Sequence, residues 1–100
     1  MTDLERWIAE RRPAPPEELA TAIGEALARE DVGTGSIAEA LASAARAQLD
    51  GARARTGRVR ASAFSLLLAD GLLTYACEAA LDTADPDTSL LAMAEVAGGP

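Results

Sequence analysis

Apolar residues recur along this chain at every third or fourth position, and no stretch alternates apolar with polar residues as a strand would. This spacing predicts helices from one end of the chain to the other. A short first helix is predicted over residues 1–12, where Thr2 and Glu5 have the spacing of a capping box. The prolines of residues 13–16 then remove backbone donors and predict an extended break.

Four further helices are predicted over residues 17–97. The second follows the Pro-rich break, and Ser36 opens the third with another capping box. The fourth is predicted from about Arg58 to Leu81 or the residue after it. Asp85, followed by a proline, has the pattern of a residue that caps the start of a fifth helix.

These elements predict an all-α fold, a compact bundle of four main helices plus a short N-terminal helix. A length of 100 residues fits a single domain, so we expect one helical domain over residues 1–100. In the fifth helix, Leu90, Leu91 and Ala94 are the predicted core anchors.

The fourth predicted helix is apolar on two sides. At 100° per residue, Phe64 and Leu68 fall on one side, and Leu66 and Leu73 fall nearly opposite. We therefore expect something to pack on both sides. The helix is long enough to span a bilayer, but Asp70 near its centre opposes insertion by roughly 2.5–3.5 kcal/mol. We expect a soluble core helix and no membrane partner.

The composition predicts a hydrophobic core that buries little apolar area. Hydrophobic residues make up 49% of the chain, but 24 of them are Ala and only 3% of the chain is aromatic. Small side chains bury little apolar area, so burying a face against another chain would relieve the shortfall. We expect a homo-oligomer or a complex with a larger protein partner.

The absence of whole residue types excludes much chemistry. The chain has no His, and all nine of its basic residues are Arg. This excludes His-based acid–base pairs, Ser-His-Asp triads, the Walker lysine and Schiff-base lysines. The chain is therefore predicted to be non-enzymatic and to need no cofactor. Its single cysteine, Cys77, fits a reducing cytoplasm, and the Arg and Ala bias is typical of a GC-rich bacterial genome.

Charge is segregated along the chain, whose net charge is −7. Residues 46–60 hold five Arg residues and a single Asp, whereas residues 61–100 hold six acidic residues and no basic one. We call these arginines the Arg belt: Arg46, Arg53, Arg55, Arg58 and Arg60. Three roles of the belt are open. It contacts a partner or subunit through Arg53, Arg55 and Arg58, it binds a phosphate-bearing ligand, or it neutralises the chain's own acidic helices. The acidic surroundings argue against nucleic acid.

The first helix carries the only Trp of the chain. Leu4, Trp7 and Ile8 share one side of this helix and are predicted to bind a partner, since Trp is enriched among interface hot spots. Two arrangements are open. The helix either lies across its own bundle or detaches and inserts these residues into a partner's groove.

A polar stripe crosses the apolar fourth helix at spacings of four residues: Asp70, Thr74 and Glu78. With a further carboxylate from Glu25 or Glu39, this stripe could hold a hard metal ion or another ligand. The alternatives are a solvated groove or a pairing with an Arg residue. The leading prediction is a non-enzymatic interaction module or small accessory subunit that self-associates or docks on a larger protein. The alternative is a small-molecule or metal-binding helical bundle.

Overall fold

The computed structural model describes residues 2–29, 35–55, 57 and 59–98. Across these residues the chain forms five helices and no strand, which confirms the predicted all-α class. The helices are α1 (Asp3–Ala9), α2 (Glu17–Ala28), α3 (Ile37–Ala54), α4 (Val59–Leu81) and α5 (Pro86–Gly98).

Three of the helix starts are capped as the sequence predicts. The hydroxyl groups of Thr2 and Ser36 each accept a hydrogen bond, at 3.1 Å, from the backbone N–H three residues later. At the start of α5, the carboxylate of Asp85 accepts bonds from the backbone N–H of Thr88 at 3.3 Å and from its hydroxyl at 2.6 Å. Each cap satisfies a backbone donor that the helix itself leaves free.

Helix α1 ends earlier than predicted, at Ala9. Arg12 precedes Pro13 through a cis peptide bond, and a residue before proline is disfavoured in helical geometry. Side chains add further hydrogen bonds to the carbonyls at the end of α1. Arg11 Nε donates to the carbonyl of Trp7 at 3.0 Å, and Arg12 Nη1 donates to the carbonyl of Ala9 at 2.9 Å.

Helices α3 and α4 form an antiparallel hairpin that carries most of the core. Their connection is closed by Ser62, whose hydroxyl donates to the carbonyl of Ala52 at 3.4 Å. Leu41 and Leu72 are completely buried between them. The other buried positions of the two helices, apart from Leu68, are small: Ala38, Ala42, Ala44, Ala45, Ala52, Ser65, Ala76, Ala79 and Ala80. Small side chains let the two helices approach closely.

The remaining helices pack on the two sides of this hairpin. Helix α2 inserts Ile23, which is fully buried, and its Leu19 lies in contact range of the bare backbone at Gly71. Helix α5 packs on the other side, and Arg46 Nη1 of α3 donates to the carbonyl of Ala97 at 3.3 Å. One hydrophobic core cluster therefore includes residues from all five helices.

The predicted anchors of α5 are partly wrong. Leu90 is half-buried as expected, but Leu91 is 68% exposed and Ala94 is exposed too. The core side of α5 runs instead through Met93, three residues after Leu90, and Ala97, four residues after Met93. Helix α5 is thus rotated by about one residue, or 100°, because the flexible Met93 fills the space that the Ala-rich hairpin leaves.

This rotation predicts opposite outcomes for two neighbouring truncations. Met93→Ala removes a buried side chain and is expected to lower the free energy of unfolding by about 2–5 kcal/mol. Leu91→Ala removes a solvent-exposed side chain and is expected to change it by less than about 0.5 kcal/mol. Urea unfolding followed by circular dichroism measures both. Equal losses in the two variants would contradict the observed rotation.

Candidate interaction surface

Helix α1 is held on the carboxyl-terminal half of α4 by an aromatic contact. The rings of Trp7 and Tyr75 meet edge to face, with centroids 6.2 Å apart and an interplanar angle of 83°. The indole Nε1 of Trp7 also donates to Asp82 Oδ2 at 3.3 Å. Aromatic pairs in this geometry contribute beyond the area they bury, by about 0.5–1.5 kcal/mol.

Arg11 completes this contact. Its guanidinium group lies 3.7 Å from the centroid of the Trp7 ring, within the range of a cation–π interaction. The same group forms ion pairs with Glu78 at 3.6 Å and with Asp82 at 3.7 Å. The side chain of Arg11 is only 19% exposed, so the ring and both carboxylates hold it against α4. We call Trp7, Arg11, Tyr75, Glu78 and Asp82 the Trp7–Arg11 cluster.

The structure shows where α1 lies relative to the other helices. Leu4 is buried, and Trp7 and Ile8 are half-buried against the core cluster. Of the two arrangements left open by the sequence, α1 thus adopts the one in which it lies across its own fold. A direct role of these residues in binding a partner stays a prediction.

This packing changes the pKa of the Tyr75 phenol. Burial under α1 raises the pKa of its phenol above the usual value, because the charged phenolate loses contact with water. The nearby carboxylate of Glu78 raises this pKa further, and the guanidinium group of Arg11 opposes the increase. The phenol is therefore neutral through the physiological range and serves as packing surface for Trp7.

The predicted polar stripe of α4 is exposed. Asp70, Thr74 and Glu78 all face solvent, and the hydroxyl of Thr74 donates to the carbonyl of Asp70 at 2.8 Å. Glu78 is paired with Arg11, one of the alternatives that the sequence left open. Among the described residues, no group of three or more His, Cys, Asp or Glu side chains could hold a metal ion. Neither Glu25 nor Glu39 joins the stripe in such a group, and its role as a ligand site stays a prediction.

The Arg belt divides into two kinds of residue. Arg46 pairs with Asp50 at 3.1 Å, and the guanidinium group of Arg55 donates to the hydroxyl of Ser65, so these two stabilise the hairpin itself. Arg53 is exposed near the end of α3. Arg58 lies outside the described residues, and a partner-binding role for Arg53, Arg55 and Arg58 stays a prediction.

Arg60, in the first turn of α4, is a member of the belt to which the sequence gave no partner-binding role. It is exposed and forms no ion pair within the part of the chain that the structure describes. Its charge is therefore available to an outside partner.

The outward side of α4 is an exposed apolar surface. Five of its large apolar side chains are between 38% and 80% exposed: Val59, Leu66, Leu67, Leu73 and Leu81. Asp70 and Thr74 lie among them. We call these seven residues the α4 outer face. The sequence predicts that something packs on this side of the helix, and within the described chain these side chains are only partly covered.

Helix α5 is too short to run along the whole of α4. Helix α4 has 23 residues and is about 34 Å long, whereas α5 has 13 residues and is about 20 Å long. Helix α5 ends where Ala97 reaches Arg46, and beyond that point a groove opens beside Leu66 and Leu73. The sequence signal for this surface was available in the mismatch between a long two-sided apolar helix and its shorter neighbours.

A polar cavity of about 360 Å³ lies where α2 meets the hairpin. Its lining includes Glu25, Arg29 and Arg55, so charges of both signs face it. Because Arg55 is already bonded to Ser65, this mixed lining does not favour a particular class of ligand.

Helix α4 also has the length and composition of a membrane span. It is the single such helix in the described residues, and its most apolar stretch has a mean hydropathy of 1.4. Of that stretch, 39% is buried inside the protein. A core helix of a soluble protein has the same length and composition, and the charge of Asp70 at its midpoint opposes burial in lipid.

Comparisons with protein-family models, with curated proteins and with solved structures found no match to this chain.

The Trp7–Arg11 cluster predicts that one arginine of α1 matters far more than another. Arg11→Ala is expected to lower the free energy of unfolding by about 1–2 kcal/mol, since it removes the cation–π contact and both ion pairs. It should also shift the fluorescence of Trp7, the only Trp, to longer wavelength. Arg6→Ala is the matched control, because Arg6 forms only an exposed pair with Asp3. Equal effects of the two changes would contradict the cluster.

The raised pKa of Tyr75 predicts a loss of stability in alkali. The unfolded chain releases the phenolic proton near pH 10, before the folded chain does, so stability is retained below about pH 10. It then falls as the pH rises through the higher pKa of the folded state. Near-ultraviolet absorbance reports this titration directly, because Tyr75 is the only Tyr. Titration at or below the value found in urea would contradict the expectation.

Proposed function

We propose that this chain is a non-enzymatic helical protein-interaction module, or a small accessory subunit, whose contact surface is the α4 outer face. The observation that carries the proposal is the concentration of exposed apolar side chains on one helix. Of the large apolar residues exposed in the described chain, all except Leu91 lie on α4. Contiguous exposed apolar surface on a soluble protein is typical of a binding site.

In this proposal, α2 to α5 form a four-helix body that presents α4, and α1 is the short helix that stiffens it. The Trp7–Arg11 cluster ties α1 to the half of α4 that carries Glu78. A contact surface on a supported helix loses less conformational entropy on binding than one on a loop.

The non-enzymatic part of the proposal rests on chemistry. The chain has no His and no Lys, which removes the commonest general bases and amine nucleophiles. The shifted pKa values in the described chain belong to Tyr75 and Asp85. The phenol packs α1 and the carboxylate caps α5, so both groups have structural roles. The single Cys supports a reducing cytoplasm as the compartment, and the Arg and Ala bias supports a bacterial source.

A protein partner is favoured over a lipid surface. The chain carries a net charge of −7, which an anionic membrane repels. Asp70 sits at the middle of the α4 outer face, where a partner's polar group can solvate it but acyl chains cannot. We therefore propose a protein contact on this face.

Site-specific photo-crosslinking tests which surface makes the contact. A benzophenone amino acid replaces Leu67 on the α4 outer face or, as the matched control, Leu91 on α5. Position 91 is the more exposed of the two, at 68% against 53%, so random collision favours it. Irradiation in the native cells is expected to give protein adducts at position 67 at least about fivefold more abundant than at position 91.

Two results would overturn this proposal. Equal labelling at positions 67 and 91 would show that the α4 outer face has no preferred partner. Flotation of the purified chain with anionic lipid vesicles, lost in Leu67→Glu and retained in Leu91→Glu, would assign the face to a membrane instead.

A further inference from the structure

We propose that the α4 outer face binds a second copy of this chain, with the two α4 helices antiparallel. This inference rests on the proposed function and names the partner of the same surface. It is carried by the distribution of charge, by the order of residues along the face and by the exposed area of the chain.

The two ends of α4 carry opposite charge. Its first turn holds Arg60, which is exposed and without an ion pair among the described residues. Its last turns and the segment that follows hold Glu78, Asp82, Asp85 and Asp87. Arg11 of α1 pairs with the first two, but the four carboxylates outnumber it, so this end stays acidic. A parallel pair of α4 helices brings like charges together at both ends. An antiparallel pair brings each basic end against an acidic end, and it also sets the helix dipoles in the favourable orientation.

Four of the five apolar residues of the face are arranged symmetrically about Asp70. Val59 and Leu81 lie eleven residues before and after it, and Leu67 and Leu73 lie three residues before and after it. In an antiparallel pair centred on Asp70, Val59 of one copy therefore meets Leu81 of the other near the middle of the face. At 100° per residue, Leu67 and Leu73 lie about 60° to opposite sides of Asp70, so each lies beside its own equivalent in the second copy. This is the self-complementarity that a two-fold contact between identical chains requires.

The flanking charges fit the same register. At 100° per residue, Arg60 and Glu78 both lie about 80° around the helix from Asp70, on the same flank. A two-fold axis through the centre of the face brings identical flanks together. Arg60 of one copy is thus placed beside Glu78 of the other, and the pair occurs twice in each dimer.

The exposed area of the whole chain is larger than that of a typical monomer. The chain exposes 6,319 Å² in total, whereas a folded monomer of 10.3 kDa exposes about 5,400 Å². The excess over the whole surface, roughly 900 Å², is enough for the ~800 Å² that each partner buries in a standard protein interface.

The arrangement has one identifiable cost. Asp70 lies at the centre, so its carboxylate comes close to the same group of the second copy. Like charges at this separation repel even in water. Asp70→Asn is therefore expected to tighten the dimer by about fivefold, as measured by light scattering over a concentration series.

Disulfide trapping tests the orientation. Val59→Cys and Leu81→Cys, each in a Cys77→Ala background and with a size tag on one of them, are mixed in equal amounts and oxidised with diamide. The expected product is the mixed disulfide between positions 59 and 81, at least about fivefold over either self-disulfide. Leu91→Cys in the same background reports the rate of random collision. Circular dichroism confirms that each variant is folded.

Predominant self-disulfides of Val59→Cys and Leu81→Cys would show a parallel pair and overturn the antiparallel assignment. A statistical mixture forming no faster than the Leu91→Cys control would overturn self-association. Light scattering gives an independent readout. The mass is expected to be twice 10.3 kDa, to return to that of one chain in Leu67→Glu and to be unchanged in Leu91→Glu.

The photo-crosslinks at position 67 separate failure of this inference from failure of the proposed function. Adducts with twice the mass of the chain support the dimer. Adducts of other masses, from a chain that is monomeric in light scattering, overturn the dimer and leave the proposed function standing. Absence of any preferred adduct at position 67 overturns both.

Discussion

The close contact between the Ala-rich sides of α3 and α4 is the interaction on which the rest of the structure depends. Because Ala side chains are short, the two helices approach closely, but each residue removes little apolar area from water. Only Leu41 and Leu72 are large and completely buried in this hairpin. The outer helices must therefore supply large buried side chains. Helix α2 contributes Ile23, and α5 contributes Met93.

Helix α1 illustrates how a short element is retained where apolar area is scarce. Its 7 residues are too few to form a stable helix alone. Leu4 reaches the core, but the Trp7–Arg11 cluster adds a stacked guanidinium group, an indole hydrogen bond and two ion pairs. The carboxylates of Glu78 and Asp82 thus have a definite structural role, since they fix the side chain of Arg11 over the Trp7 ring. Polar contacts here reinforce a thin hydrophobic core.

Local signals predicted the helices well, because they act between residues close in sequence. The caps at Thr2, Ser36 and Asp85 each join a side chain to a residue three positions later, so sequence alone reveals them. The rotation of α5 was not predictable in this way, since it depends on the space that a distant hairpin leaves for Met93. The pairing of Arg11 with Glu78 joins helices far apart in sequence, and no spacing rule identifies it.

The exposed side of α4 is connected with the same scarcity of large apolar side chains on the neighbouring helices. The neighbouring helices cover only part of the 23-residue α4, so some of its apolar side chains stay in solvent. Charged side chains counteract the tendency of this apolar surface to aggregate. A net charge of −7 opposes non-specific aggregation, and Asp70 interrupts the apolar surface at its midpoint. The charges are not spread evenly, because Arg60 begins the helix and acidic residues end it. This uneven charge favours one orientation for the partner that we propose.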